Sequence, residues 1–179
     1  VAAGNNILNA AMTKPGTDLL GVTNGADPLE VKVRNYFAIG QNNPVAGESY
    51  NEVVNTISVT LMFEKDLKVN DMVTISGLKT TQAAVYDITL ADASGGSNDQ
   101  NKFRDVNGDA AGKGDWLKKV SNTEPALELE AAAAVTAGTM LRLKFTVANP
   151  AAAQNNAVVS IAATVAAGDV AKVAMTKPG

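Results

Sequence analysis

The sequence predicts an all-β fold, an Ig-like β-sandwich of about eight or nine strands with exchanged or linking terminal strands. Three observations point there. Apolar and polar residues alternate in short runs, clusters of turn-forming residues separate those runs, and no amphipathic stretch of ordinary helical length appears. The third is a phrase that occurs twice. Ala11-Met12-Thr13-Lys14-Pro15-Gly16 returns unchanged as Ala174-Met175-Thr176-Lys177-Pro178-Gly179, 163 residues from Met12 to Met175, and Val-Ala-Ala-Gly precedes each copy, at Val1–Gly4 and Val165–Gly168. Fixed-period self-similarity marks repeat architectures, so the chain reads as one full period of a tandem array plus the opening of the next.

In order along the chain, residues 1–16 form a linker or joining strand, closed by Pro15, which forbids helix and pushes Lys14 toward extended backbone. Asn24-Gly25-Ala26-Asp27-Pro28 is a turn cluster. Leu29, Val31 and Val33 then alternate with Glu30, Lys32 and Arg34 in the period of a half-buried strand, continuing through Tyr36 and Phe37 to the break at Gln41–Pro44. Ile57, Val59, Leu61 and Phe63 interleave with Ser58, Thr60 and Met62 in the clearest strand of the chain. Met72–Ser76 and Val85–Leu90 make two more. Ser94 to Asp115 is a long polar stretch anchored by Phe103 and Val106, and loops of that length are commonly functional or flexible. Trp116 and Leu117 return to the core.

Glu128 and Glu130 alternate with Leu127 and Leu129, which predicts a water-facing row of carboxylates. Arg142 and Lys144, with Lys32 and Arg34, supply matching basic rows able to set register at a few tenths of a kcal/mol, the scale of about 0.2–1 kcal/mol for exposed pairs. Ala131–Ala134 has the composition of a helical turn, cut short by Val135, Thr136 and Gly138. Leu141, Leu143, Phe145 and Val147 alternate with charges, and Val158–Val165 and Val170–Met175 complete the set. The domain reading is therefore a joining segment at 1–16, a sandwich at 17–163 and a joining strand at 164–179 that repeats the first.

Several words in this order resemble a known kind of repeat. Asn55-Thr56-Ile57-Ser58-Val59-Thr60-Leu61, Asp66-Leu67, Val73–Leu78, Gly114-Asp115-Trp116, Leu127-Glu128-Leu129, Ala137-Gly138-Thr139 and Ala148–Ala151 with Gln154 are similar to units of very long tandem-repeat surface proteins of microalgae and other aquatic microbes. Thr17–Val22 and Asn24–Leu29 resemble the junction between such units. The resemblance implies a structural role at the cell surface or outside the cell.

Composition bounds the chemistry. Hydrophobic residues make up 46% of the chain but aromatics only 4%, so the core is aliphatic. The net charge of −3 gives phosphates no basic face, so no nucleic-acid partner is expected. No apolar run reaches the roughly 20 residues of a membrane helix, so no membrane insertion is expected. The chain opens at Val1 without Met, which suggests a processed or excerpted product. Neither His nor Cys occurs, which removes the familiar triads and thiolate metal sites and leaves no expected catalytic residue and no expected cofactor.

One pattern of side chains suggests a metal. Asp105, Asn107 and Asp109 lie at every second position, as oxygen ligands do at the start of an EF-hand loop, with Asp115 near the place of the closing carboxylate. Ala110 stands where that loop wants Gly and Trp116 where it wants Glu, so a solvated acidic turn is the favoured reading and calcium the alternative.

The expected partners are identical or similar units, joined head-to-tail through Ile7, Ala11, Met12, Val170, Val173 and Met175 into an extracellular filament. The alternative is an adhesin or stalk repeat that binds glycans or another cell surface through the 94–115 stretch, which is then expected to be ordered and lined by exposed aromatics, whereas a purely structural unit lets it be mobile.

Overall fold

A computed structural model describes residues 35–42, 54–78, 80, 85–106, 108, 110–118, 125–150 and 157–176. All lie within one compact unit, Val33–Gly179. The strands in chain order are β1 (Tyr36–Asn42), β2 (Val54–Met62), β3 (Met72–Ser76), β4 (Val85–Thr89), β5 (Ala91–Asp92), β6 (Phe103–Arg104), β7 (Lys113–Lys118), β8 (Pro125–Ala131), β9 (Leu141–Ala148), β10 (Ser160–Thr164) and β11 (Val170–Ala174). Among the described residues a 3-10 turn, Asp99–Lys102, interrupts them.

The strands form two antiparallel sheets. One runs β1-β2-β9-β5 and the other β11-β10-β3-β8-β7-β4, with β6 also pairing with β8. The alternation in sequence accounts for how they face each other. In β9 the residues Leu141, Leu143, Phe145 and Val147 are buried while Arg142, Lys144 and Thr146 are exposed, and Ile57, Val59 and Leu61 of β2 lie opposite Phe145, Leu143 and Leu141. On the wider sheet Val73 and Ile75 pair with Leu129 and Leu127. Inward residues of both sheets join one apolar core, as expected when period-2 strands pack face to face in a sandwich. Trp116 of β7 and Phe145 of β9 meet across it with ring centroids 6.3 Å apart.

Three expectations change. Glu128 is buried rather than water-facing. Its strand β8 lies inside the wide sheet between β3 and β7, and Glu128 pairs with Thr74 on one side and Asp115 on the other. Glu130 is half-buried and bonds Arg104, its cross-strand partner on β6, rather than a basic residue of β9. Arg142 and Lys144 are exposed as expected, but they lie on the other sheet, opposite Thr60 and Ser58. Ala131 ends β8 and no helical turn follows it: Ala131 N–H donates to Asp71 O and Ala131 O accepts from Asn70 N–H, so the backbone is committed to strand-end contacts. The strand expected at Leu29–Val33 lies outside the described residues.

The 94–115 stretch is hydrogen-bonded along much of its length. Buried Asp99 accepts from Arg142 N–H through Oδ2 at 2.8 Å, and Ala132 N–H donates to Lys102 O at 2.9 Å. Phe103 is fully buried, and Gly112 N–H donates to Phe103 O, which folds the stretch back as a hairpin.

Close packing sets a test. A Cβ at Gly114 would lie 2.5 Å from Leu129 Cδ2 and 3.1 Å from Glu128 O, and overpacking of this kind costs about 1–3 kcal/mol. Gly114→Val is therefore expected to lower the unfolding free energy by that amount, read as a lower urea midpoint at an unchanged m-value, and an unaltered midpoint would show that β7 and β8 are less tightly apposed than described.

Candidate functional site

The terminal copy of the repeated phrase touches both sheets through its backbone, pairing with β10 of one and with β1 of the other. After β10 the chain makes a tight turn at Val165–Asp169, where Gly168 N–H donates to Val165 O and Val165 N–H donates to Asp169 Oδ1. Neighbouring elements clamp that turn. Buried Asp71 accepts from Ala166 N–H through Oδ1 and from Lys68 N–H through Oδ2, and Lys65 Nζ donates to Gly168 O. Gly168 has φ +111°, in the left-handed region where an L side chain is strained.

β11 then runs along β10 as the edge of the wide sheet, with Ser160 opposite Ala174 and Ile161 opposite Val173 before a bulge. Most of it faces solvent. Met175 turns inward, 7% exposed, and joins the core, while its N–H donates to Val159 O. Thr176 crosses to the other sheet and forms a parallel bridge with Ala38 of β1. Ile39 N–H donates to Thr176 O at 3.0 Å, Thr176 N–H donates to Phe37 O at 2.9 Å, and the Thr176 hydroxyl donates to the same carbonyl at 3.0 Å. Beside this crossing lies an open cleft of about 450 Å³, lined among others by Tyr36, Glu64, Val170, Val173 and Thr176.

Of the expected joint residues, Val170 packs partly against the core, Met175 is within it and Val173 is exposed on the edge. Ile7, Ala11 and Met12 lie outside the described residues. Sequence reasoning missed Thr176, Asp71, Lys65 and the β1 carbonyl and amide at Phe37 and Ile39. The signal for Thr176 was present, since Thr13 repeats it.

No protein-family model matches this chain, and no curated protein does. Among solved structures, one similar chain is an inactive mutant of a GH20 exo-β-N-acetylglucosaminidase from Vibrio harveyi, at 9% identity and a TM-score of 0.37. The match covers 83% of this chain but 18% of that one, and a likeness so slight carries no argument about activity.

The acidic stretch divides into two environments. Asp105 and Asp115 are fully buried, which corrects the expectation of a solvated turn. The bridge between Arg104 and Ala111 and the bond from Val106 N–H to Asp115 Oδ2 fold the segment against β7. Asp115 Oδ1 has no hydrogen-bond partner among the described residues. Asn107 and Asp109 lie outside them, and among the described residues no three carboxylates gather where they could hold a metal ion. The stretch's sole aromatic, Phe103, is in the core, so it offers no ring for stacking on a sugar.

Asp92 sits in the other environment, at the exposed start of the stretch. Its carboxylate accepts from the Ser94 hydroxyl at 2.5 Å and from the N–H groups of Ser94, Gly96 and Asn98 at 2.7, 2.7 and 3.3 Å. These bonds, the Ser94 hydroxyl first and its backbone N–H second, hold the carboxyl well below the usual carboxylate range. A depressed folded-state pKa stabilises the fold above the ordinary value of about 3.9, and that stabilisation fades as pH falls below it, where the unfolded chain takes up the proton first. Asp92→Ala should consequently show a shallower loss of thermal stability between neutral pH and about pH 3 than the parent chain. Parallel acid limbs would show that this turn contributes nothing to the pH dependence.

Proposed function

We propose that the chain is a structural subunit or tandem-repeat unit of an extracellular filament, joined to identical or similar units head-to-tail through its terminal β-strands. The observation that carries this reading is the seat of residues 165–176. The sandwich has a place at its seam for the repeated phrase, and the chain carries the phrase twice. An open sandwich leaves edge strands whose unpaired backbone groups recruit other strands, and a strand added from a neighbour gains main-chain hydrogen bonds plus pockets for alternate side chains. Such a contact uses different surfaces on the two partners, so it does not close and it propagates as a fibre.

Within this reading the sandwich is taken as Ig-like, and the chain as a member of the tandem-repeat surface proteins that its words resemble, which puts it at the cell surface or outside the cell. No enzymatic activity is assigned. The sequence offers neither imidazole nor thiol, and the buried carboxylates Asp105 and Asp115 are no exposed acid/base pair. The 94–115 stretch is hydrogen-bonded along much of its length, as the glycan-binding alternative expects, but its single ring is buried and gives that alternative no stacking surface.

Removal of residues 1–16 tests the reading. The shortened chain is expected to remain folded by circular dichroism and to lose the uniform fibres that the full chain forms under negative-stain microscopy. Fibres of unchanged abundance and repeat would contradict it.

A further inference from the structure

We propose that the seam between β10 and β1 is a recognition groove for the repeated phrase, and that residues 1–16 of a second molecule enter it in the register that Val165–Thr176 holds here. This specifies the joint of the filament reading above and rests on it.

The argument compares the two copies against the contacts one of them makes. Val165 is buried, Ala166 N–H is held by Asp71, Gly168 takes a positive φ, Met175 enters the core and Thr176 bonds β1 twice through its backbone. The first copy repeats each of these residues, as Val1, Ala2, Gly4, Met12 and Thr13. Ala174, opposite Ser160, is repeated as Ala11. Asp169, which uses one Oδ1 to accept from Val165 N–H, is replaced by Asn5, whose amide oxygen is an acceptor of the same reach.

The copies diverge only between these words, where Val170–Val173 faces Asn6–Ala10. In the seated copy that span is half-buried at Val170 and exposed from Ala171 to Val173. The first copy is one residue longer there, and the ladder between β10 and β11 is already bulged between Ile161 and Ala163, the irregularity by which a sheet edge takes up an extra residue. Identity is thus kept at the buried Val165 and Met175, at the positions whose backbone is held, Ala166, Gly168 and Thr176, and at the exposed Ala167 and Ala174, and it is lost over Val170–Val173, of which Val170 alone packs partly against the core. A need for any generic edge strand would instead have kept the alternation and left the individual residues free.

One groove and two matching occupants imply competition. The tail of the same chain is tethered beside the groove at high effective concentration, so it holds the seat until it is displaced, and the surplus first copy of each molecule is then a donor for the groove of another.

The chain has no cysteine, so an introduced pair reports on this directly. Ala11→Cys with Ser160→Cys is combined with Met175→Asp, which disables the cis tail, and the chain is oxidised with copper–phenanthroline. The expected result is a ladder of disulfide-linked oligomers on a non-reducing gel, lost when Met12→Asp is added. Free thiols, or a link within single chains alone, would overturn the proposal. Should the Met175→Asp chain fail to fold by itself, a synthetic peptide of residues 1–16 is expected to restore folding and its Met12→Asp form is not; no restoration by the parent peptide would overturn the proposal equally. Fibres of the parent chain in the absence of the cross-link would leave the filament reading in place and remove this joint. A ladder from chains that never form fibres would do the reverse.

Discussion

Two backbone hydrogen bonds at Thr176 fasten the edge of one sheet to the segment that ends the other. The facing sheets of a sandwich meet mostly through side chains, and here those side chains are mostly aliphatic, without direction. A main-chain link between Phe37, Ile39 and Thr176 therefore fixes how the layers close at that end. Met175 gives the link its apolar grip, because a buried methionine contributes about 1.5–3 kcal/mol while the short run of chain around it leaves little room for another register. The clamps on the preceding turn, Asp71 and Lys65, deliver the segment to the seam in the right frame.

The same arrangement explains why a terminal phrase would be copied. Most strands of a sandwich are specified by alternation, which many sequences satisfy. A segment that must turn on a left-handed glycine, run along one edge, bury one side chain and then pair in parallel with the opposite sheet has several separate demands at fixed spacing. Few substitutions meet all of them, so a second segment with the same task is expected to carry the same letters at the same points.

The strands were legible where one face meets the core and the other meets water. Ile57–Phe63 and Leu141–Val147 are such cases, and their side chains fall as the alternation says. Glu128 was not legible for the matching reason. Period 2 tells which residues share a face of a strand, but not whether the second face is covered, and β8 runs through the middle of the wide sheet. Asp105 was illegible in a related way: oxygen-bearing residues at every second position describe a calcium loop and also a hairpin folded back on its neighbours, and the Arg104–Ala111 bridge with the Gly112–Phe103 bond makes it the second. Thr176 has no apolar periodicity to announce it, and its role follows from its place one residue past an inward-turning methionine. For the site, the repetition was the informative signal and composition was not, since absent histidine and cysteine exclude chemistry without naming a task.

The account turns on the Met175–Thr176 crossing being a stable part of the sandwich. Amide hydrogen exchange of Ile39 and Thr176, read by NMR at neutral pH, tests it most directly, because exchange of a hydrogen-bonded amide requires that the bond open. The account predicts exchange as slow as that of the β2–β9 ladder, with both amides deprotected together in Met175→Asp while that ladder stays protected. Exchange at Ile39 and Thr176 as fast as at the exposed turn residue Ala167 would contradict it.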